Sequence, residues 1–296
     1  MSAIENFSYG PHELQRLHVS GISGAPVQTN DDRYWVIYIH GGAWRDPTIL
    51  ADSFKYTEAV LRQHSLVQAH VAAFASIDYR LSPHPDFPQD PHNTPESRFR
   101  AAKHPDHLHD VQTALQFLQD KYAFGEKYIL IGHSCGATLA LQTVMNRVNG
   151  ANHPNTTIPK PKAIVGVCGI YDLRLLRNDF KQYESVGAFI KGAFGEDEEI
   201  WDRVSPARVI DSDGVAAGWS TGQVAIVASS RNDSLINSPQ GLAMRKTLKT
   251  WEDLHSERKI IFLDDLVEDH DDVWSKGQEL SRTIIAAIES LVDKRS

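Results

Sequence analysis

With only two cysteines, Cys135 and Cys168, a chain of 296 residues carries no disulfide framework, and both read as packed thiols. No apolar run is long enough to span a bilayer. The opening Met1-Ser2-Ala3-Ile4-Glu5-Asn6-Phe7 lacks both the basic start and the apolar centre of a secretion signal, so the expected location is the cytoplasm, with no membrane partner. Basic residues are in deficit: 30 Lys and Arg face 38 Asp and Glu, a formal charge of -8. That balance speaks against a nucleic-acid partner or an anionic-membrane anchor. Also missing are a Gly-x-x-x-x-Gly-Lys phosphate loop, a Cys/His cluster at zinc spacing and a His-Glu-x-x-His pair. Neither a nucleotide nor a metal is implied, and the expected site is cofactor-free.

What the chain does have is 41% hydrophobic against 23% charged residues, the make-up of a globular protein with material for a large core. Short β-rich apolar runs at 34–39, 71–77, 128–131, 163–167, 224–228 and 259–263 alternate with stretches of helical period at 52–64, 108–122, 137–148, 239–254 and 274–291. Such alternation predicts a mostly parallel sheet covered by helices on both faces. Residues 83–107 are rich in Pro, His and Asp and read as a long surface loop bordering a site, with its histidines solvated. Residues 149–162 read as a second irregular connection. Neither a repeat nor a linker divides the chain, so one domain over 1–296 is expected.

Gly132-His133-Ser134-Cys135-Gly136 fits the G-x-S-x-G pattern in the context that gives it meaning. The run Tyr128-Ile129-Leu130-Ile131 leads in as a buried strand, and Ala137-Thr138-Leu139-Ala140-Leu141 leaves with helical spacing. A strand, a sharp turn and a helix lift the Ser134 hydroxyl clear of a sheet as a nucleophile, while the helix aims its first N–H groups at developing negative charge. Upstream, the strand 34–39 ends in His40-Gly41-Gly42-Ala43-Trp44, whose two glycines let backbone N–H groups approach a ligand closely. Taken alone this is a tight turn; beside the nucleophile it reads as part of an oxyanion hole made by the N–H groups of Gly42, Ala43 and Cys135. His40 reads as a brace for the loop.

A nucleophile of this kind takes its partners in the order serine, acid, histidine. The strand 224–228 is followed by Ser229-Ser230-Arg231-Asn232-Asp233, which makes Asp233 the expected acid. The last strand opens into an acidic loop holding His270, the only histidine beyond it. Asp264, Asp265, Glu268, Asp269, Asp271 and Asp272 read as solvated loop charges, with substitution of one of them for Asp233 as the alternative. His270 would take the Ser134 proton and return it to the leaving group, and Asp233 would fix the imidazole tautomer.

These residues together resemble the fungal type of kynurenine formamidase (arylformamidase), in the α/β-hydrolase superfamily, over nearly the whole chain. The His-Gly-Gly-x-Trp form narrows the resemblance, because hormone-sensitive-lipase-like esterases usually carry a third glycine where Ala43 stands. Asp78-Tyr79-Arg80-Leu81-Ser82-Pro83 is shared with those esterases and discriminates poorly. The resemblance implies an α/β-hydrolase fold and hydrolysis of N-formyl-L-kynurenine to L-kynurenine and formate, a step of tryptophan degradation that feeds NAD synthesis. It also implies a homodimer, the common family assembly.

Few residues precede the strand 34–39, which leaves little material for the N-terminal helical cap of lipase-like esterases. A bulky acyl chain would then lack a lid, whereas a formyl group needs almost no acyl pocket. Trp44 would wall that pocket or stack on the substrate's aromatic ring, with plain packing as the alternative. An aryl amine is weakly basic, so one histidine acid suffices to expel it. Arg80, Arg98 and Arg100 are candidates for the charged end of the substrate, against surface solvation. The competing functions are a short-chain esterase of the same fold and a silent binding protein, which would be expected to lack a triad member.

Overall fold

The computed structural model describes residues 4–23, 27–29, 31–148, 151–152, 158–210 and 212–293. In chain order the strands are β1 (Ile4–Ser8), β2 (Arg16–Gly21), β3 (Tyr34–Ile39), β4 (Val71–Ile77), β5 (Tyr128–His133), β6 (Arg147–Val148), β7 (Ala151–Asn152), β8 (Ala163–Val167), β9 (Val224–Ser230) and β10 (Lys259–Leu266). Eight of them form one sheet in the order β1-β2-β4-β3-β5-β8-β9-β10, and β6 pairs with β7 apart from it. From β4 to β10 every neighbouring pair is parallel; β1 and β2 add an antiparallel edge. The fold is therefore that of an α/β-hydrolase, with a mostly parallel sheet flanked by helices.

The helices are α1 (Lys55–Leu61), α2 (Ser65–His70), α3 (Asp106–Tyr122), α4 (Cys135–Gln142), α5 (Leu173–Asp179), α6 (Glu184–Phe194), α7 (Glu198–Val204), α8 (Val215–Gly218), α9 (Ser238–Asp253), α10 (Asp272–Lys276) and α11 (Gln278–Asp293). The pleat sorts the central strands into two cores. Trp35, Ile37 and Ile39 of β3 pack with Val111 and Leu115 of α3, Ala140 of α4 and Met244 of α9. Tyr34, Val36 and Tyr38 pack on the other face with Leu61 of α1, Val67 of α2 and Ile284 and Ile288 of α11. β3 is buried at all six positions, which explains a run apolar on both sides of the strand.

Several boundaries differ from those the periodicity predicts. The expected helix 137–148 ends at Gln142, and the next turn leads into β6. The expected helix 274–291 is broken by Gly277 at φ +77, where an added Cβ would strike the backbone of Tyr56 and Thr57. The stretch 52–64 divides into a 3-10 turn, Ala51–Phe54, and α1. Of the expected connection 149–162, residues 149–150 and 153–157 lie outside the described residues. Among the described residues no helix precedes β3, as expected for a chain without an N-terminal cap, but the expected lack of any cover is corrected. The residues before β3 supply the antiparallel edge, and a helical excursion, α5 to α7, is inserted between β8 and β9 instead. Among the described residues no helix is long and apolar enough to cross a membrane.

Candidate active site

β5 delivers the chain into the turn at Ser134, which adopts φ 54 and ψ -123 before α4 begins at Cys135. A positive φ at a non-glycine residue typically costs about 1–3 kcal/mol and persists only where its surroundings hold it. The flanking glycines explain how. A Cβ on Gly132 would fall on the backbone of Gly136, and one on Gly136 would fall on the carbonyls of Ile39 and His40. The two glycines thus let strand, turn and helix start approach one another and the end of β3. Ser134 is 5% exposed, and its hydroxyl makes no hydrogen bond among the described residues.

The loop after β3 lies against this turn. Gly42, Ala43 and Trp44 all have positive φ, at 89, 50 and 60. The carbonyl of Gly42 accepts from the N–H groups of Arg45 and Asp46, closing a tight turn. The N–H groups of Gly42, Ala43 and Cys135 have no main-chain partner among the described residues. The Trp44 N–H points to the Cys135 sulfur at 3.3 Å, and the Tyr79 hydroxyl lies 3.5 Å from the same atom. Burial pushes the Cys135 thiol up to about 11, so it serves this contact as a neutral group.

Tyr79 also donates towards the carbonyls of His40 and Gly41 at 3.1 and 3.2 Å, and its ring stacks on that of His40 at 4.3 Å. Asp78, wholly buried, accepts from the Ala51 N–H and the Arg16 guanidinium. The sequence Asp78-Tyr79 discriminates poorly between families, yet here it forms the underside of the loop. His40 itself is buried, and desolvation lowers its pKa; its Nδ1 contacts the Gly41 carbonyl at 2.8 Å.

At the same C-terminal edge of the parallel strands, Asp233 follows β9 and His270 follows β10. His270 Nδ1 lies 2.9 and 3.0 Å from the two Asp233 carboxylate oxygens, and the two side chains are 5% and 2% exposed. The carboxylate also accepts from the N–H groups of Leu235 and Ile236, which fixes its plane. Asp269, next to the histidine in sequence, does not face the ring. It accepts instead from the N–H groups of Ser234 and His270 and so ties the acid loop to the histidine loop. The His270 carbonyl contacts His133 Nε2 at 3.1 Å, which holds the histidine loop beside the Ser134 turn.

Sequence spacing gives no hint of a further neighbourhood here. His133, Cys168 and His270 each offer a potential metal-ligand atom within 4.8 Å of the others. Both imidazole rings already have hydrogen-bond partners, Asp233 for His270 and the His270 carbonyl for His133. Cys168, at φ 48, donates towards Asp233, and burial holds its thiol well above the usual range.

Trp44 is wholly buried, edge-on to Phe194 at 4.9 Å and 6.2 Å from Phe189, both on α6. It therefore presents no face for stacking on a substrate and supports the loop from within, under the helical excursion. Arg80 is committed to Asp110 through paired bonds at 2.8–3.1 Å, and Arg98 pairs with Glu13. Of the three arginines singled out by sequence, Arg100 alone has no carboxylate partner among the described residues. Arg45 shares that property, which sequence does not reveal because pairing is set only by the folded chain.

The BD-FAE family matches residues 25–248. A kynurenine formamidase-like hydrolase of Fusarium equiseti is 37% identical over 88% of this chain and 84% of its own length. A kynurenine formamidase of Aspergillus versicolor is 35% identical over 84% of this chain and 86% of its own. Among solved structures, a hyperthermophilic esterase from Pyrobaculum calidifontis superposes with a TM-score of 0.65 at 17% identity, covering 99% of this chain and 87% of that one. The carboxylesterase EstE1, from a metagenomic library, gives 0.63 at 16% identity, with 93% and 84% covered.

Proposed function

The chain belongs to the BD-FAE family and to the kynurenine formamidase group of α/β-hydrolases, and from that membership we propose that it deformylates N-formyl-L-kynurenine, releasing L-kynurenine and formate. The observation that carries the catalytic side of this reading is the buried Asp233–His270 pair, bonded at 2.9 and 3.0 Å beside the Ser134 turn. Relatives named kynurenine formamidase supply the substrate.

In this mechanism Ser134 Oγ attacks the formyl carbon as His270 Nε2 takes its proton. That bond forms when substrate closes the geometry, as is common where the free site is loosely aligned. Asp233 holds the opposite nitrogen protonated and stabilises the imidazolium. The N–H groups of Gly42, Ala43 and Cys135, free of main-chain partners, receive the oxyanion. His270 then gives its proton to the aryl amine nitrogen, the C–N bond breaks and L-kynurenine leaves. A water, deprotonated by His270, attacks the formyl-Ser134 ester; its collapse returns the proton to Ser134 and frees formate. Trp44, closed over by Phe189 and Phe194, is consistent with a small acyl group on that side. With this substrate go a step of tryptophan degradation feeding NAD synthesis, a cytoplasmic setting and a homodimer.

Kynurenine release from N-formyl-L-kynurenine, followed by absorbance beside p-nitrophenyl acetate hydrolysis, tests the reading in the wild type and in Ser134→Ala. Formamide turnover lost in the variant is the expected result. Ester hydrolysis without formamide hydrolysis would replace the formamidase with a short-chain esterase; the structural neighbours are named an esterase and a carboxylesterase. Activity retained by a folded Ser134→Ala protein would remove Ser134 from the mechanism.

A further inference from the structure

A cleft of about 420 Å³ opens beside the oxyanion loop, between Arg45, the 83–100 segment and Ala188 of α6. Its apolar walls include Phe87 and Phe99. Two guanidiniums face it, and neither has an ion-pair partner among the described residues. Arg45 lies over the Phe189 ring at 5.7 Å. Arg100 donates one bond from Nη2 to the Phe87 carbonyl at 2.6 Å, while its Nε is buried without a partner among the described residues. The two other arginines singled out from the sequence are paired, Arg80 with Asp110 and Arg98 with Glu13, which sets Arg45 and Arg100 apart. Desolvation lowers the pKa of both groups, as expected for cations held among apolar side chains without a counter-ion. Asp46 and Asp86 bear on Arg45 from outside ion-pair distance; Asp46 is engaged by Thr48, and Asp86 is solvent-exposed.

Through Arg45 the cleft continues the loop after β3. Arg45 follows Trp44, whose N–H bonds the sulfur of Cys135, the neighbour of Ser134. We propose that Arg45 and Arg100 form the subsite for the carboxylate on the leaving-group side of the substrate, so that the enzyme selects aryl formamides bearing an amino-acid tail. This inference rests on the deformylase reading above. Planar guanidiniums match a carboxylate in paired geometry, and the aromatic walls accept the aniline ring beside it. Unpaired cations in an apolar cleft also disfavour a neutral substrate, which would leave them uncompensated.

Arg45→Met and Arg100→Met, alone and combined, retain most of the apolar stem and remove the charge. Their steady-state kinetics are compared on N-formyl-L-kynurenine and on 2-formamidoacetophenone, the same aryl formamide without the amino-acid tail. The expected result is a fall of at least about tenfold in the kcat/KM ratio of the first substrate to the second, carried by KM, and partial recovery in Arg45→Lys. An unchanged ratio in the double variant overturns the subsite and leaves the deformylase reading intact. If the wild type cleaves neither formamide, the deformylase reading fails, and the subsite is judged by calorimetric binding of L-kynurenine to Ser134→Ala. Binding weakened about tenfold by the added double substitution supports it; equal or absent binding overturns it.

Discussion

The Cys135 sulfur accepts a hydrogen bond from the main-chain N–H of Trp44 at 3.3 Å, joining two segments 91 residues apart. One side of this contact is the helix start whose N–H follows the proposed nucleophile; the other is the loop that carries the remaining proposed oxyanion donors. The spacing between the two sets of donors therefore depends on one buried thiol, with the Tyr79 hydroxyl as a second support. The x position after the serine contributes its side chain as well as its N–H.

Replacing the sulfur separates these contributions. Cys135→Ala leaves the buried Trp44 N–H without an acceptor, which costs about 1–3 kcal/mol of stability. Loosened donors should lower kcat about tenfold with little change in KM, because the oxyanion exists only along the reaction path. Cys135→Ser, which restores an acceptor, should recover part of the loss. Urea unfolding and steady-state kinetics on the two variants check this; equal kcat in wild type and Cys135→Ala would free the oxyanion loop from the thiol.

Asp233→Asn keeps the volume and loses the charge that holds His270 in its tautomer. The expected fall in kcat is about 10⁴-fold with the fold intact. A fall much smaller than this would bring a neighbouring carboxylate into the role, and Asp269→Asn combined with Asp233→Asn would identify it.

Two glycine substitutions of the same chemistry should differ in sign. In Gly136→Ala the new Cβ meets the carbonyls of Ile39 and His40, so the end of β3 must move away from α4, at a cost of about 1–3 kcal/mol or more. In Gly187→Ala, within α6, nothing among the described residues lies within 4 Å, and the change should stabilise by about 0.5–1 kcal/mol through helix propensity. Denaturant midpoints compare the pair directly.

Where local sequence carries its own constraint, it was legible. β3 and β5 are continuous apolar runs because both faces are covered, and the Ser134 turn needs Gly132 and Gly136 because backbone occupies the space of their side chains. Asp233 and His270 follow from strand order. The covering helices α5 to α7 were not legible: α5 and α7 have seven residues each, and α6 contains Gly187 and Gly192, so neither length nor propensity declares them. Trp44 looked available to a substrate because its cover, Phe189 and Phe194, comes from far along the chain. Arg80 and Arg100 looked alike because the partner that neutralises Arg80 sits thirty residues on, at Asp110, and only the folded chain brings it there.

Buried histidines should make this fold sensitive to acid. His107, expected to be solvated in the 83–107 loop, instead lies on α3 and is 1% exposed; its Nε2 is paired with the Ser82 hydroxyl at 3.1 Å, and its Nδ1 has no partner among the described residues. Burial pushes its pKa from 6.5 down to about 3. Above pH 6.5 neither the folded nor the unfolded state binds a proton here, and stability is unaffected. Between 6.5 and about 3 the unfolded chain takes up a proton that the native state refuses, so stability falls as pH falls, by up to ~1.4 kcal/mol per pH unit. His40 and His133, also buried and lowered, act in the same direction. His107→Gln, neutral at every pH, should lose packing at pH 7 yet show a pH slope shallower by about one proton. Urea unfolding at pH 7, 5.5 and 4.5 measures both slopes, and parallel curves would mean that native His107 takes up its proton as readily as the unfolded chain does.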